Sequence, residues 1–202
     1  MTPDLLSNLP SRIHMILEEG AKEGASRIAF TDEDGAEWSY RRLIDTVADV
    51  AGKMAELGVR PGDRVMVVCE NSIAAIVLMY AASRLDAWSV MTSARLSSRE
   101  IDLIKEDSSP RCVFYTHTIS SEADAHARRH GATLEVFDEI GRVKVGSLDA
   151  GTMAESVESD PAKQVATLIY TTGTTGRPKG VMLSHRNLAF VACRGKLTKT
   201  IL

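Results

Sequence analysis

The chain has 202 residues, enough for one sizeable α/β domain or for an incomplete piece of a larger one. Apolar residues at 44%, charged residues at 25% and a net charge of −3 are ordinary globular values, and they give no argument for binding nucleic acid or an acidic membrane. Cys69, Cys112 and Cys193 are far apart and odd in number, so they read as reduced core residues and not as a disulfide frame or a zinc site.

The first residues lack the charged-then-apolar order of a signal peptide, and the longest apolar run, Ile73 to Ala82, is too short to span a bilayer. A cytoplasmic protein is the expectation. Ser11 to Glu23 reads as a short amphipathic helix. Arg27 to Thr31 and Glu37 to Ser39 flank Asp34-Gly35, a hairpin signal. A helix over Tyr40 to Leu57 follows, with Ser39 as its cap, Leu43, Ile44, Val47, Ala51 and Met54 on one face, and Gly58 closing it.

Pro61-Gly62-Asp63 is a turn. Val65 to Cys69 is then apolar without alternation, the mark of a strand buried on both faces in a parallel sheet. Asn71 or Ser72 can cap the next helix, Ile73 to Leu85, and Trp88 to Met91 is the following strand. Ser97 and Glu100 form a capping box for a helix reaching about Asp107. Cys112 to Thr116 is a strand, Ser121 to His130 a helix closed by Gly131, and Leu134 to Phe137 a further strand.

This alternation predicts an α/β fold: a mostly parallel sheet with helices on both faces. Asp138 to Lys163 shows no period and reads as a long surface connection, with room for short local structure. The reading divides the chain into residues 1–58, a helix, hairpin and helix packing on the core, and residues 59–202, a parallel α/β subdomain that is incomplete as a domain.

Gln164 to Tyr170 reads as a buried strand entering the stretch Y-T-T-G-T-T-G-R-P-K-G-V, Tyr170 to Val181. Four threonines, three glycines and a lysine leave many backbone N–H groups free, add hydroxyl donors and supply a cation, which is the chemistry of a polyphosphate cradle. Lys179 falls six residues after Gly173, the spacing of a Walker loop. Pro178 and Gly180, however, stand where that loop needs a glycine and a magnesium-binding hydroxyl. Gly180 to Leu183 reads as a return strand, and Ser184 as the cap of a last helix starting near His185.

The stretch resembles the signature of the adenylate-forming superfamily, close to Y-T-S-G-T-T-G-x-P-K-G-V followed by x-x-x-H-x-N, with Thr172 for the usual serine and His185 and Asn187 in the trailing motif. Trp38 to Leu43, Pro61 to Val65 and Glu70-Asn71-Ser72 resemble further elements of its acyl-CoA synthetases. Arg84 to Ala87 and Val90 to Ser93 depart from the family's usual R-A-G-A and V-P-L-N.

The resemblance implies a carboxylate activated by ATP with magnesium as an acyl-adenylate, then passed to a thiol, commonly coenzyme A. It implies a phosphate cradle of Thr171, Thr172, Gly173, Thr174, Thr175, Gly176 and Lys179, with Lys179 stabilising charge on the phosphates. The family's downstream motifs, which form the adenine, ribose and acyl pockets, are not found in these residues, so the chain is expected not to adenylate by itself. A non-catalytic nucleotide- or partner-binding module is the alternative, and a poorly folded piece with uncovered apolar faces the third.

Beside these, blander readings stand. His185 could be a catalytic base, but it reads rather as a helix-start residue that packs or bonds locally. His126 and His130, at i and i+4, could suit a metal but have no third ligand and read as a solvated face, as does the basic cluster Arg128-Arg129-His130, and Trp38, Trp88 and the methionines read as core.

Overall fold

The computed structural model describes residues 9–32, 34–172 and 177–199. Helix α1 (Met15–Lys22) leads to a two-stranded antiparallel sheet of β1 (Ile28–Thr31) and β2 (Glu37–Ser39). Helix α2 (Tyr40–Glu56) starts at Ser39, whose hydroxyl accepts from the Arg42 N–H, and it is closed by Gly58 at φ 96°.

The main sheet then builds through β3 (Arg64–Cys69), α3 (Ile73–Arg84), β4 (Trp88–Ser93), α4 (Ser98–Ser108), β5 (Cys112–Tyr115), α5 (Ser121–Arg129), β6 (Leu134–Val136), β7 (Val143–Val145), β8 (Val165–Thr172) and β9 (Pro178–Ser184). Helix α6 (His185–Lys199) follows. Of the two candidate caps for α3, Ser72 makes the bond, to the Ala75 N–H, and the Ser97–Glu100 box closes in both directions at α4.

The strand order is β6-β7-β5-β3-β4-β8-β9. Ladders β5–β3, β3–β4 and β4–β8 are parallel, while β7 runs against both its neighbours and β9 runs against β8. The parallel direction expected for the successive strands therefore holds, with reversed strands at β7 and β9.

Strand β3 explains its own unbroken apolar run. Val65, Val67 and Cys69 pack with α2 and α3 on one face, and Met66 and Val68 pack with Ile101 and Ile104 of α4 and Ala123 and Ala127 of α5 on the other. Burial lifts the Cys69 and Cys112 thiols to about 12, so these two cysteines are inert core groups. Cys193 is half-buried.

Two expectations need correction. The stretch from Asp138 is not all surface connection. Val143 and Val145 enter the core, and the strand inserts between β5 and β6, with Lys144 pairing to Asp124 at 2.7 Å. Three residues of V-K-V carry too little periodicity to declare a strand alone.

Nor do His126 of α5 and His130 at its end lie on a solvated face. His126 is buried with Nε2 3.1 Å from the carbonyl oxygens of Ala94 and Leu96, while His130 Nε2 lies 2.8 Å from Asp102 of α4 and its Nδ1 2.5 Å from the Tyr115 hydroxyl. Arg129 forks onto Asp102 with two 2.8 Å bonds and holds that carboxyl down at about 2. Trp38 is core, with its Nε1 donating to Asp32 and Arg42 stacked 3.6 Å above its ring, whereas Trp88 is only half-buried.

The residues after β7 form a strap along the amino-terminal end of the sheet. Asp149 exchanges backbone and side-chain bonds with Arg111, Glu155 N–H donates to the Gly62 carbonyl, and Arg12 donates to the Glu158 carbonyl at 2.8 Å. The opposite, carboxyl-terminal end carries the tip of the β8–β9 hairpin.

Candidate phosphate-binding site

Strand β8 is seated on the parallel centre by its backbone ladder to β4 and by two hydroxyl bonds, Thr167 Oγ1 to the Ser89 carbonyl at 3.0 Å and Ser89 Oγ to the Ala166 carbonyl at 3.2 Å. Only its first half is buried, because Ile169 and Thr171 emerge into solvent. Strand β9 returns beside it with Ile169 opposite Val181, Tyr170 opposite Gly180, Thr171 opposite Lys179 and Thr172 opposite Pro178.

The expected loop is thus mostly hairpin. Its two flanks, Tyr170 to Thr172 and Pro178 to Val181, lie in the ladder, while Gly173, Thr174, Thr175 and Gly176 fall outside the described residues. Among the described residues β9 is an edge strand, and an edge tolerates Pro178, which has no N–H to give a further neighbour.

Side chains alternate across the hairpin. Lys179, Thr171, Val181 and Ile169 share one face; Tyr170 lies on the other, where it covers Gly180. A β-carbon on Gly180 would stand 3.0 Å from the Tyr170 Cζ, so any larger residue would make the ring give by a few tenths of an ångström. The Tyr170 hydroxyl reaches past it to donate to Asp107 Oδ2 of α4 at 2.5 Å. Burial and then the carboxylate push that phenol well above its ordinary value.

Lys179 and Arg177 are exposed, and among the described residues neither has a carboxylate partner. A threonine hydroxyl directly across from an unneutralised ammonium is a donor pair suited to phosphate oxygens. Among the described residues no group of three or more His, Cys, Asp or Glu gathers to hold a metal.

The base of the hairpin is held differently. Ser184 and Asn187 cap α6 reciprocally: the Ser184 hydroxyl accepts from the Asn187 N–H, and the Asn187 side chain accepts from the Ser184 N–H at 3.0 Å. His185 between them is fully buried, its N–H donating to the Gln164 carbonyl and its Nδ1 accepting from the Ile13 N–H at 3.1 Å. Burial first, then the charge of Arg12, lower this imidazole to about 4.

The AMP-binding enzyme family model matches residues 17–201, nearly the whole chain and all of the hairpin. The chain belongs to this family, the adenylate-forming enzymes. Among curated relatives, peroxisomal OPC-8:0-CoA ligase 1 of Arabidopsis thaliana is 32% identical over 80% of this chain and 31% of its own length. A feruloyl-CoA synthase of Amycolatopsis is 33% identical over 77% of this chain and 30% of its own length. Among solved structures, ATP-bound MatB from Rhodopseudomonas palustris superposes with a TM-score of 0.66 at 28% identity, covering 90% of this chain and 36% of that one. The chain therefore spans about a third of the length of each of these three proteins.

Of the residues expected in the phosphate cradle, the fold brings Thr171 and Lys179 face to face and places Thr172 at the end of β8. Sequence reasoning missed the Tyr170–Asp107 bond and the Ile13–His185 bond. Their partners lie 63 and 172 positions apart, and no local pattern marks them.

Proposed function

We propose that this chain supplies the phosphate-binding part of an AMP-forming acid–thiol ligase, which activates a carboxylate with ATP and hands the acyl group to coenzyme A. The observation that carries the reading is Lys179: exposed, without a carboxylate partner among the described residues, and opposite Thr171 at the tip of a hairpin built from the family signature. The named coenzyme A ligases among the relatives support the thiol.

The chemical obstacle in such a reaction is charge, since an anionic nucleophile approaches a polyanion. The Lys179 ammonium and the Thr171 hydroxyl offset that repulsion from fixed strand positions, with Thr172, Gly173, Thr174, Thr175 and Gly176 completing the cradle. ATP, when bound, supplies the activated phosphorus. Magnesium enters with the nucleotide, held chiefly by phosphate oxygens and water.

Isothermal titration of the chain with magnesium-ATP tests this. Binding is expected, and Lys179→Ala should weaken it about tenfold to a hundredfold, the worth of a charge-assisted bond. Equal affinity in the variant would remove Lys179 from the site. Carboxylate-dependent ATP–pyrophosphate exchange is expected to be absent, and exchange by the chain alone would overturn the view that it supplies only part of the active site.

A further inference from the structure

The outer half of strand β9 fixes its register only through Gly180 beneath the Tyr170 ring. An irregularity separates its pairing into two stretches: Thr167 to Thr172 pair with Leu183 back to Pro178, and Val165 pairs with Ser184, leaving Ala166 as the extra residue. A hairpin that contains a bulge also has an unbulged alternative, shifted by one residue. A one-residue slip turns every side chain of the strand to the opposite face. Lys179 would then leave the face of Thr171. Among the described residues β9 has no second neighbour strand to prevent this.

What holds the base is a closed ring of bonds through the amino-terminal segment. His185 N–H donates to the Gln164 carbonyl and Arg186 N–H to the Pro161 carbonyl. Gln164 Oε1 accepts from the Glu158 N–H at 2.6 Å, and the Glu158 carbonyl accepts from Arg12. Arg12 is anchored to Asp86 at 2.5 Å, just past α3, and the next residue, Ile13, donates its N–H to the His185 ring.

The ring nitrogen that accepts cannot carry the proton. His185 is therefore the neutral imidazole protonated at Nε2, and that Nε2 is buried with no hydrogen-bond partner among the described residues. An imidazole so enclosed is not placed to exchange protons with a substrate. It is placed to fix a position.

We infer that His185 is the register lock of the phosphate hairpin: its bond to Ile13 selects the bulged pairing and thereby sets Lys179 opposite Thr171. It is a positioning residue and touches no substrate. Asparagine at this position presents an acceptor where Nδ1 stands, whereas leucine presents none. The role assigned to Lys179 rests on the proposed function; the lock itself does not.

Imidazole nitrogen NMR of the unmodified chain should show Nε2 protonated and Nδ1 as a hydrogen-bond acceptor, and the reverse tautomer would overturn the lock. In His185→Leu the Ile13 amide should exchange about ten- to a hundredfold faster. The cross-strand NOEs between residues 171 and 179 should weaken, and ATP affinity should fall about two- to thirtyfold. His185→Asn should recover the Ile13 protection, the 171–179 contacts and most of the affinity. Unaltered 171–179 contacts in His185→Leu, or an asparagine variant that behaves like the leucine one, would sink the lock.

Should the leucine variant fail to fold, the tautomer of the unmodified chain and the asparagine variant still decide. Should the unmodified chain bind no ATP while its Ile13 and 171–179 signals behave as stated, the phosphate role falls and the lock stands.

Discussion

Two glycines show how differently the same residue type can be used. Gly35 has φ 82° in the β1–β2 turn, and a β-carbon there would meet nothing within 4 Å. Gly62 has φ 80°, its N–H donates to the Asp86 carbonyl, and its own carbonyl accepts from Glu155; a β-carbon would stand 1.9 Å from the Glu155 carbonyl oxygen. The sequence marks both as turn glycines. Only the fold shows that one of them is where the strap crosses. Gly35→Ala should cost about 1 kcal/mol, the backbone term alone. Gly62→Ala adds a collision with backbone, and should cost about 2–4 kcal/mol in urea unfolding. Equal losses in the two variants would show that the strap does not rest on Gly62.

At the scale of elements, the β8–β9 hairpin has two fittings, one at each end. At the base is His185; nearer the tip, Tyr170 lies across Gly180 and is tied to Asp107 of α4. Gly180→Ala should therefore destabilise the chain by about 1–3 kcal/mol through the ring. In a Tyr170→Ala background the same change should cost little, because nothing then occupies the space. Additive costs in urea unfolding would mean that the ring is not what excludes a side chain.

Neither fitting was legible in the sequence, although most of the elements themselves were. The starts of α2, α3 and α4 could be read from Ser39, Ser72 and Ser97 because a cap and an apolar period are local signals. Strand β7 escaped notice because its pairing, not its three residues, makes it a strand. His126 was misplaced because the carbonyls it meets, Ala94 and Leu96, belong to another connection. The site followed the same rule. The signature named Thr171 and Lys179, but their opposition depends on a register held by Ile13 at the far end of the chain.

Across the whole molecule the two ends of the sheet have different electrostatic characters. The hairpin tip presents exposed cations. At the amino-terminal end, neutral histidines are packed among fixed charges: His185 against Ile13, with Arg12, Asp86 and His14 around it, and His14 on the Ser83 hydroxyl at 2.9 Å. Burial lowers both imidazoles, that of His185 from 6.5 to about 4.

A histidine whose folded value is lowered binds its proton more readily in the unfolded chain. The stability it contributes is therefore complete above pH 6.5 and is lost as pH falls toward about 4. For His185 that loss is on the order of 3 kcal/mol. His14 and His130, lowered by the same cause, act in the same direction. Asp102, held at about 2 by Arg129 and His130, adds its loss only below its unfolded value of 3.8. Urea unfolding should thus show a midpoint that already falls between pH 6.5 and about 5, above the range in which carboxylates titrate. His185→Asn, which has no proton to take up, should flatten that slope while keeping the Ile13 bond. A midpoint that stays level in the unmodified chain, or a slope unchanged by the substitution, would mean that the buried imidazole is not what ties the stability of this end to pH.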